Sequence, residues 1–307
     1  MVERQSIQKG LEGVKVAWRG GTYSKDDLMK MDPVPLRALF RERIHHTIEV
    51  NIYPILLGKE KVPPAYGLQP QLIYEVWKER GFSDDAPDFE WGKKYLELAA
   101  KIRAGETVSI DEPLPKPFNK QEMAALKKAI WERHSCRNWQ KKEVPDSMIE
   151  QLLEAGRAAP CGCNLDVVRY IVIKDAQELK MVWSDTPTPP GECVLIVLCY
   201  DTRAYKVTGQ DQSVAHNQLL DCGAAADHML LMAHALGLGA CWLTRTEKTG
   251  KAFKEQYGLP DYIEPALHIA VGWPATGTFK SLRMPLSEML IKTKRASGLS
   301  ATRPAKV

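Results

Sequence analysis

The sequence predicts a layered α+β fold, and three observations carry that prediction. In the second half of the chain, short apolar runs of strand length alternate with segments of helical period. One of the helical segments is apolar almost all round, the signature of a helix buried inside a domain. Pro113, Pro115 and Pro117 punctuate the chain ahead of this regular pattern, where three prolines in five residues favour an extended linker. The expected division is therefore residues 1–118 as a helical and irregular extension and residues 119–307 as the main domain.

Each element has its own signal. In the extension, a helix from about Pro70 to Arg80 has proline near its start and Gly81 just past its end. A second begins near Asp88, places Trp91, Tyr95, Leu98 and Ile102 on one face, and stops at Gly105. Past the linker, Asn119 with Glu122 has the form of a capping box, and Met123, Leu126 and Ile130 make the apolar stripe of a helix ending near Arg133. Another helix follows Pro145, with Ile149, Leu152, Leu153 and Gly156 on its inner side. Val168–Ile173 reads as a strand and Cys193–Tyr200 as a fully buried one. The long buried helix covers about Gln212 to Leu236, its small Gly223, Ala224, Ala225 and Ala226 permitting close packing, and Gly237 caps it. Gly239–Leu243 and Leu267–Val271 complete a central sheet.

Composition narrows the function. The 307 residues are 44% hydrophobic and 26% charged, as in ordinary globular proteins. The net charge of +4 is too small for a nucleic-acid footprint, and no lysine-rich stripe or zinc-finger spacing accompanies it. No stretch offers the roughly 20 uninterrupted apolar residues of a membrane span; Cys222–Leu243 comes nearest and is broken by Asp227, His228 and His234. The first residues lack the apolar region of an export signal, so the seven cysteines are expected to be free thiols in a cytoplasmic protein.

Four stretches concentrate polar chemistry. Arg133-His134-Ser135-Cys136-Arg137 sets two guanidiniums four residues apart with a hydroxyl between, a donor set suited to a phosphate. Pro160-Cys161-Gly162-Cys163-Asn164 is a turn that exposes backbone amides; its two cysteines lack zinc-knuckle spacing, so no metal site is expected. Thr244-Arg245-Thr246 follows a strand's C-terminal end, where ligands often lie, and Lys280 with Arg283 adds a second basic pair. Histidines 216, 228, 234 and 268 show no triad or metal spacing and read as core or surface residues. Gly237-Leu238-Gly239 lies after a helix and before a strand, the reverse of a dinucleotide-binding loop.

In order along residues 122–290, these stretches together resemble the FMN-dependent nitroreductase family. The resemblance rests on the arginine–serine–arginine loop, Glu143-Val144-Pro145, the Ala159-Pro160 turn with Asn164, the Asp221–Ala226 helix, Ala235–Gly239, Gly272-Trp273-Pro274 and Arg283-Met284-Pro285-Leu286. It implies a three-layer fold with a central antiparallel or mixed sheet around a buried helix, in a homodimer with FMN at the interface. Carried over by position, Arg133, His134, Ser135 and Arg137 would bind FMN, with Lys280 and Arg283 closing the phosphate site. Pro160, Cys161, Gly162 and Asn164 would come from the partner subunit. Thr244 and Arg245 would lie by the flavin, with Arg137 or Arg245 the cation near its N1–O2 edge.

The implied activity is an oxidoreductase that takes electrons from NADH, NADPH or another donor and passes them to a small aromatic acceptor such as a nitroaromatic or quinone. Thr244-Arg245-Thr246 departs from the two glycines of many relatives and is more like the threonine-rich segment of iodotyrosine deiodinase. That departure makes these three the candidate catalytic residues and gives reductive dehalogenation as the alternative; a non-catalytic flavin-binding protein is the third reading. The short connection Asp175–Val194 stands where relatives insert a longer cover, which leaves residues 1–118 as the candidate lid, with Trp77 and Trp91 as its aromatic candidates.

Overall fold

The computed structural model describes residues 10–182 and 191–291. Part of the Asp175–Val194 connection therefore lies outside the described residues.

The extension is more regular than its sequence suggests. A hairpin of β1 (Val16–Trp18) and β2 (Gly21–Tyr23) leads into α1 (Lys25–Lys30), which a Ser24–Asp27 capping box opens. Helix α2 (Pro33–Ile44) starts on the Asp32 carboxylate with proline at its first position. It passes through a π-helical turn (His45–Glu49) into α3 (Val50–Leu56). The sequence pattern missed α2 because Arg41, Glu42 and Arg43 are buried on it. Charges that satisfy one another indoors erase the polar–apolar alternation on which helix recognition depends. The two helices that were expected are α4 (Leu68–Glu79) and α5 (Pro87–Arg103).

These helices bury a core of their own around Leu36, Phe40, Ile73, Val76 and Phe89. Phe40 stacks on Phe89 with ring centroids 5.2 Å apart. Trp77 packs 4.9 Å from Phe89 and is 7% exposed, so it belongs to this core and cannot cover a ligand. Trp91 is half-buried against the edge of Tyr95.

Past the linker, α6 (Lys120–Glu132) begins with the expected capping box, and α7 (Asp146–Arg157) follows Pro145. Four strands form one antiparallel sheet in the order β3-β4-β6-β5: β3 (Val168–Ile173), β4 (Val194–Asp201), β5 (Gly239–Thr244) and β6 (Ile263–Gly272). Ser135 adds a single parallel bridge to Ala240. Strand β6 starts four residues before the apolar run because Pro265, a strand breaker on paper, sits beside a bulge at Leu198/Cys199 where the ladder is already irregular.

Helix α10 (Asn217–Ala235) lies across one face of the sheet with α7 against it, burying Cys222, Ala225, Ala226 and Met229. It begins five residues later than expected, after a short 3-10 turn at Gln210–Gln212. The opposite face holds Leu195, Val197 and Cys241 under Leu179 of α8 (Ala176–Val182) and Phe253 of α11 (Glu247–Tyr257). The result is the three-layer α+β arrangement, helix on sheet on helix.

Helix α9 (Thr202–Thr208) joins the two halves. Its Ala204 and Tyr205 pack with Ala38 of α2 and with Leu165 and Val167, which follow the Pro160–Asn164 turn. Arg203 reaches Asp32 at 3.2 Å, and the Tyr23 hydroxyl donates to the Val207 carbonyl. Among the described residues, no helix is long and apolar enough to cross a membrane.

Candidate functional site

The two basic stretches, about 140 residues apart in sequence, are brought side by side. Helix α6 ends at Arg133, whose backbone turns extended (ψ 132°), so the chain from Ser135 onward runs along the sheet edge. The Cys136 amide donates to the Ala240 carbonyl at 3.0 Å. The segment after β6 then runs antiparallel to this loop. The Gln140 amide donates to the Trp273 carbonyl, the Ala275 amide to the Asn138 carbonyl, and the Thr278 hydroxyl reaches the Ser135 carbonyl at 3.5 Å. Lys280 and Arg283 follow Thr278 on this strap and are exposed.

Gly239 lets the two stretches meet. A Cβ on it would stand 2.7 Å from both Cβ and Sγ of Cys136 and 3.3 Å from Pro274. The neighbouring cavity, about 760 Å³, is lined by Arg133, His134, Lys128, His234 and Gly237–Ala240. Ser135 and Arg137 are not among its lining residues and lie within reach of Cys241. Burial raises that thiol's pKa, while Arg137, the Ser135 hydroxyl and Arg133 pull it back. Arg133, Arg137, Lys280 and Arg283 form no ion pair among the described residues, whereas Arg37, Arg41 and Arg43 of the extension are paired with carboxylates.

A phosphate fits this donor set. Four uncompensated cations on two adjoining segments match a group of nearly two negative charges, and arginine forks supply directed donors to its oxygens. The close approach at Gly239 holds the segments together without a side chain in the way.

The three candidate catalytic residues part company. Thr244 is exposed on the β5 face that also carries Ala240 and Trp242, the face toward α10. Arg245 turns the other way. It is 9% exposed, its guanidinium lies 4.3 Å over Phe253, and desolvation lowers its pKa. Period-two alternation sends Arg245 into the layer under α11, on the side of the sheet opposite Thr244. His268, fully buried on that side, is pushed down to about 3 by burial and by Arg245. Thr246 is the N-cap of α11, its hydroxyl accepting from the Thr249 amide at 3.2 Å.

The Pro160–Asn164 turn is built with care but lies far from the arginines. Asp221 near the start of α10 accepts the Gly162 amide at 2.8 Å and the Tyr205 hydroxyl at 3.1 Å. Burial raises the Asp221 pKa against those two hydrogen bonds. Cys163, Asn164 and Asp166 all adopt positive φ, of 52°, 56° and 48°. Cys161 donates to Asp166, and desolvation pushes its pKa up to about 11. His234, which lines the arginine-side cavity, is 13 residues along α10 from Asp221, or about 20 Å of helix. One chain therefore does not unite the turn with the cationic segments.

Arg41 of α2, which the sequence reading passed over, fastens this turn. Its Nε donates to the Asn164 carbonyl at 3.1 Å and its Nη2 to the Leu165 carbonyl at 2.6 Å. Nη1 reaches Asp88, itself held by Arg37. The one signal in the sequence was a dense run of charge, Arg41-Glu42-Arg43, inside an otherwise apolar stretch.

Comparison with known proteins places this architecture. The model of the Nitroreductase family matches residues 130–189 and 188–273. An Archaeoglobus fulgidus protein named for NADH dehydrogenase/NAD(P)H nitroreductase activity is 31% identical over 152 residues, spanning 48% of this chain and 84% of the relative. The chain belongs to the nitroreductase family. Another family relative, the Bacillus subtilis FMN reductase [NAD(P)H], is 23% identical over 177 residues, 52% of this chain and 69% of that one. A nitroreductase solved in complex with FMN from Desulfovibrio desulfuricans is 30% identical, covering 58% of this chain and 98% of its own, with a TM-score of 0.48. The reported matches span about half of this nitroreductase; the N-terminal helices and Arg41 lie outside the family model's range.

Proposed function

We propose that this nitroreductase is an FMN-dependent oxidoreductase that carries electrons from a reduced nicotinamide to a small aromatic acceptor, a nitroaromatic or quinone, and works as a homodimer. The observation that carries the reading is the convergence of the Arg133–Arg137 and Thr278–Arg283 segments, with four cations that no carboxylate of the described chain neutralises. Bound FMN supplies hydride and single-electron transfer, chemistry that no side chain can perform. Arg133, Arg137, Lys280 and Arg283 would hold its phosphate, with Ser135 and His134 as further donors. Thr244 offers an exposed hydroxyl at the end of β5. With Thr246 committed to its helix cap, the threonine pair that motivated dehalogenation is reduced to one residue, which favours the nitroreductase-type reaction.

Assembly follows from the same chemistry. Asp221, which holds the Asn164 turn, and His234, which lines the arginine-side cavity, stand about 20 Å apart along α10, so a second copy would complete the site. Helix α6 supports this, since it is amphipathic yet has no buried residue, leaving Leu126, Ile130 and Trp131 exposed. Leu219 and Leu220 of α10 and Phe279 of the strap are exposed as well. Apolar area of this extent marks an interaction surface. Residues 1–118 are proposed as a separate folding unit that braces the Asn164 turn through Arg41.

The test is an absorbance spectrum and reconstitution with FMN, followed by anaerobic reduction with NADH and NADPH and by sedimentation. A yellow dimer that binds FMN more tightly than riboflavin and is bleached by a nicotinamide is expected. A monomer indifferent to the phosphate refutes the proposal.

A further inference from the structure

The cavity beside the arginine loop is larger than one phosphate needs. Its volume, about 760 Å³, is that of a site for a whole small molecule. Much of its lining is apolar: Ala125 and Ala129 of α6, Leu230 of α10, and Leu238 just ahead of β5. Leu126 and Ile130, the apolar stripe of α6 assigned above to the second copy, lie on another face of that helix. A dimer built on the stripe therefore leaves the cavity open.

The polar groups of the lining are of two kinds. Lys128 and Arg133 are cations, and neither forms an ion pair among the described residues. The others accept hydrogen bonds. Glu132 brings a carboxylate, and α6 ends without the backbone capping bond that closes α7 and α10, so carbonyls of its last turn keep lone pairs to offer. His234, half-buried in the last turn of α10, lines the cavity too. Desolvation lowers its pKa, so at neutral pH the imidazole is an uncharged aromatic surface and not a third cation.

Apolar walls, hydrogen-bond acceptors and unpaired cations in one chamber match an aminopurine that carries phosphate. The ring would lie against the alanines, leucines and His234. Its exocyclic amine would donate to Glu132 or to the end of α6, and its phosphate would meet Lys128. We propose that this cavity binds the adenylate half of the nicotinamide donor. The inference rests on the oxidoreductase reading, which calls for such a donor and leaves open what holds it. A nicotinamide lying on the flavin carries its adenylate a diphosphate's length away, and this cavity shares Arg133 with the flavin's own donor set.

The experiment is calorimetric titration of the full-length, FMN-supplied protein with 5′-AMP. Steady-state kinetics follow with NADH and with reduced nicotinamide mononucleotide, which delivers the same hydride but has no adenylate. AMP should bind with a Kd of about 1 mM or tighter and compete with NADH. Lys128→Glu should weaken AMP about tenfold or more through loss of a charge-assisted contact. Ala129→Trp, which fills the cavity from a helix that buries no residue, should abolish AMP binding. Both variants should lower kcat/KM for NADH about tenfold and change that for the mononucleotide less than about twofold, with FMN affinity unaltered. Absence of AMP binding, or binding unmoved in both variants, overturns the proposal. Equal kcat/KM for the two donors in the unaltered protein does so as well. Lost FMN affinity in Ala129→Trp would also overturn it, by making the cavity the flavin's own. If neither donor bleaches the flavin, the oxidoreductase reading fails separately, and the AMP titration still decides the cavity.

Discussion

Replacing Arg41 by methionine keeps the buried side-chain volume and removes every donor that fastens the Asn164 turn. The guanidinium is 7% exposed and serves the Asn164 and Leu165 carbonyls at 3.1 and 2.6 Å. Hydrogen bonds from a charged donor contribute roughly 1.5–3 kcal/mol each. The half-buried Asn164 carbonyl can be served by water after the change, while the buried Leu165 end of the turn has less access to it. Asp88 keeps Arg37 and is not left alone, and the 3.7 Å contact with the exposed Asp166 adds little. The expected loss is therefore about 3 kcal/mol, at the low end of two full bonds. By size scaling, this lowers Tm by roughly 6–12 °C. Arg41→Lys, which retains charge but not the fork, should recover about half of the loss. Thermal unfolding measures the stability change, and flavin fluorescence quenching measures FMN affinity, expected to fall about tenfold as the turn loosens. An R41M protein with unchanged Tm and unchanged flavin affinity would show that the extension does not brace the turn.

Other consequences can be checked with the same assays. Removing Arg133 and Arg137 together should weaken FMN binding by one to three orders of magnitude, at roughly 1.5–3 kcal/mol for each charge-assisted contact, and leave riboflavin binding nearly unchanged. Equal losses for both ligands would place the phosphate elsewhere. Gly239→Ala pushes a methyl against Cys136, whose backbone is pinned to Ala240, and should cost about 1–3 kcal/mol in a urea titration; a neutral result would mean that the loop shifts freely. His46 is raised in the folded state to about 9, so its contribution is fully present below the unfolded value near 6.5 and is lost as pH rises through 9. Stability measured at pH 6.5 should exceed that at pH 9.5 by up to roughly 3 kcal/mol, and His46→Gln should flatten the difference. Asp88 behaves oppositely. Burial raises its pKa, but Arg37 and Arg41 outweigh that and hold it low, so its contribution is present above the ordinary carboxylate range and fades as acid reaches the lowered value; Asp88→Asn should remove that part of the acid sensitivity.

By itself the sequence determined the elements with clean periodicity. The Asn119 capping box, the α7 stripe, the buried α10 and the β4 run each obey local rules, so their identity needs no knowledge of their neighbours. It also determined that cations gather near residues 133–137 and 280–283, because charge is a property of composition. Tertiary structure decided the rest. It alone brings Thr278 to Ser135, separates Thr244 from Arg245 across the sheet and assigns Thr246 to a helix cap. Helix α2 was hidden for the same reason that makes it informative. Arg41, Glu42 and Arg43 look like surface residues in a string of letters, and they become interior ones because Arg41 meets Asp88 and the Asn164 turn, Arg43 stacks on Trp18, and Glu42 pairs with Arg43. A burial pattern created by long-range pairing leaves no local periodicity to read.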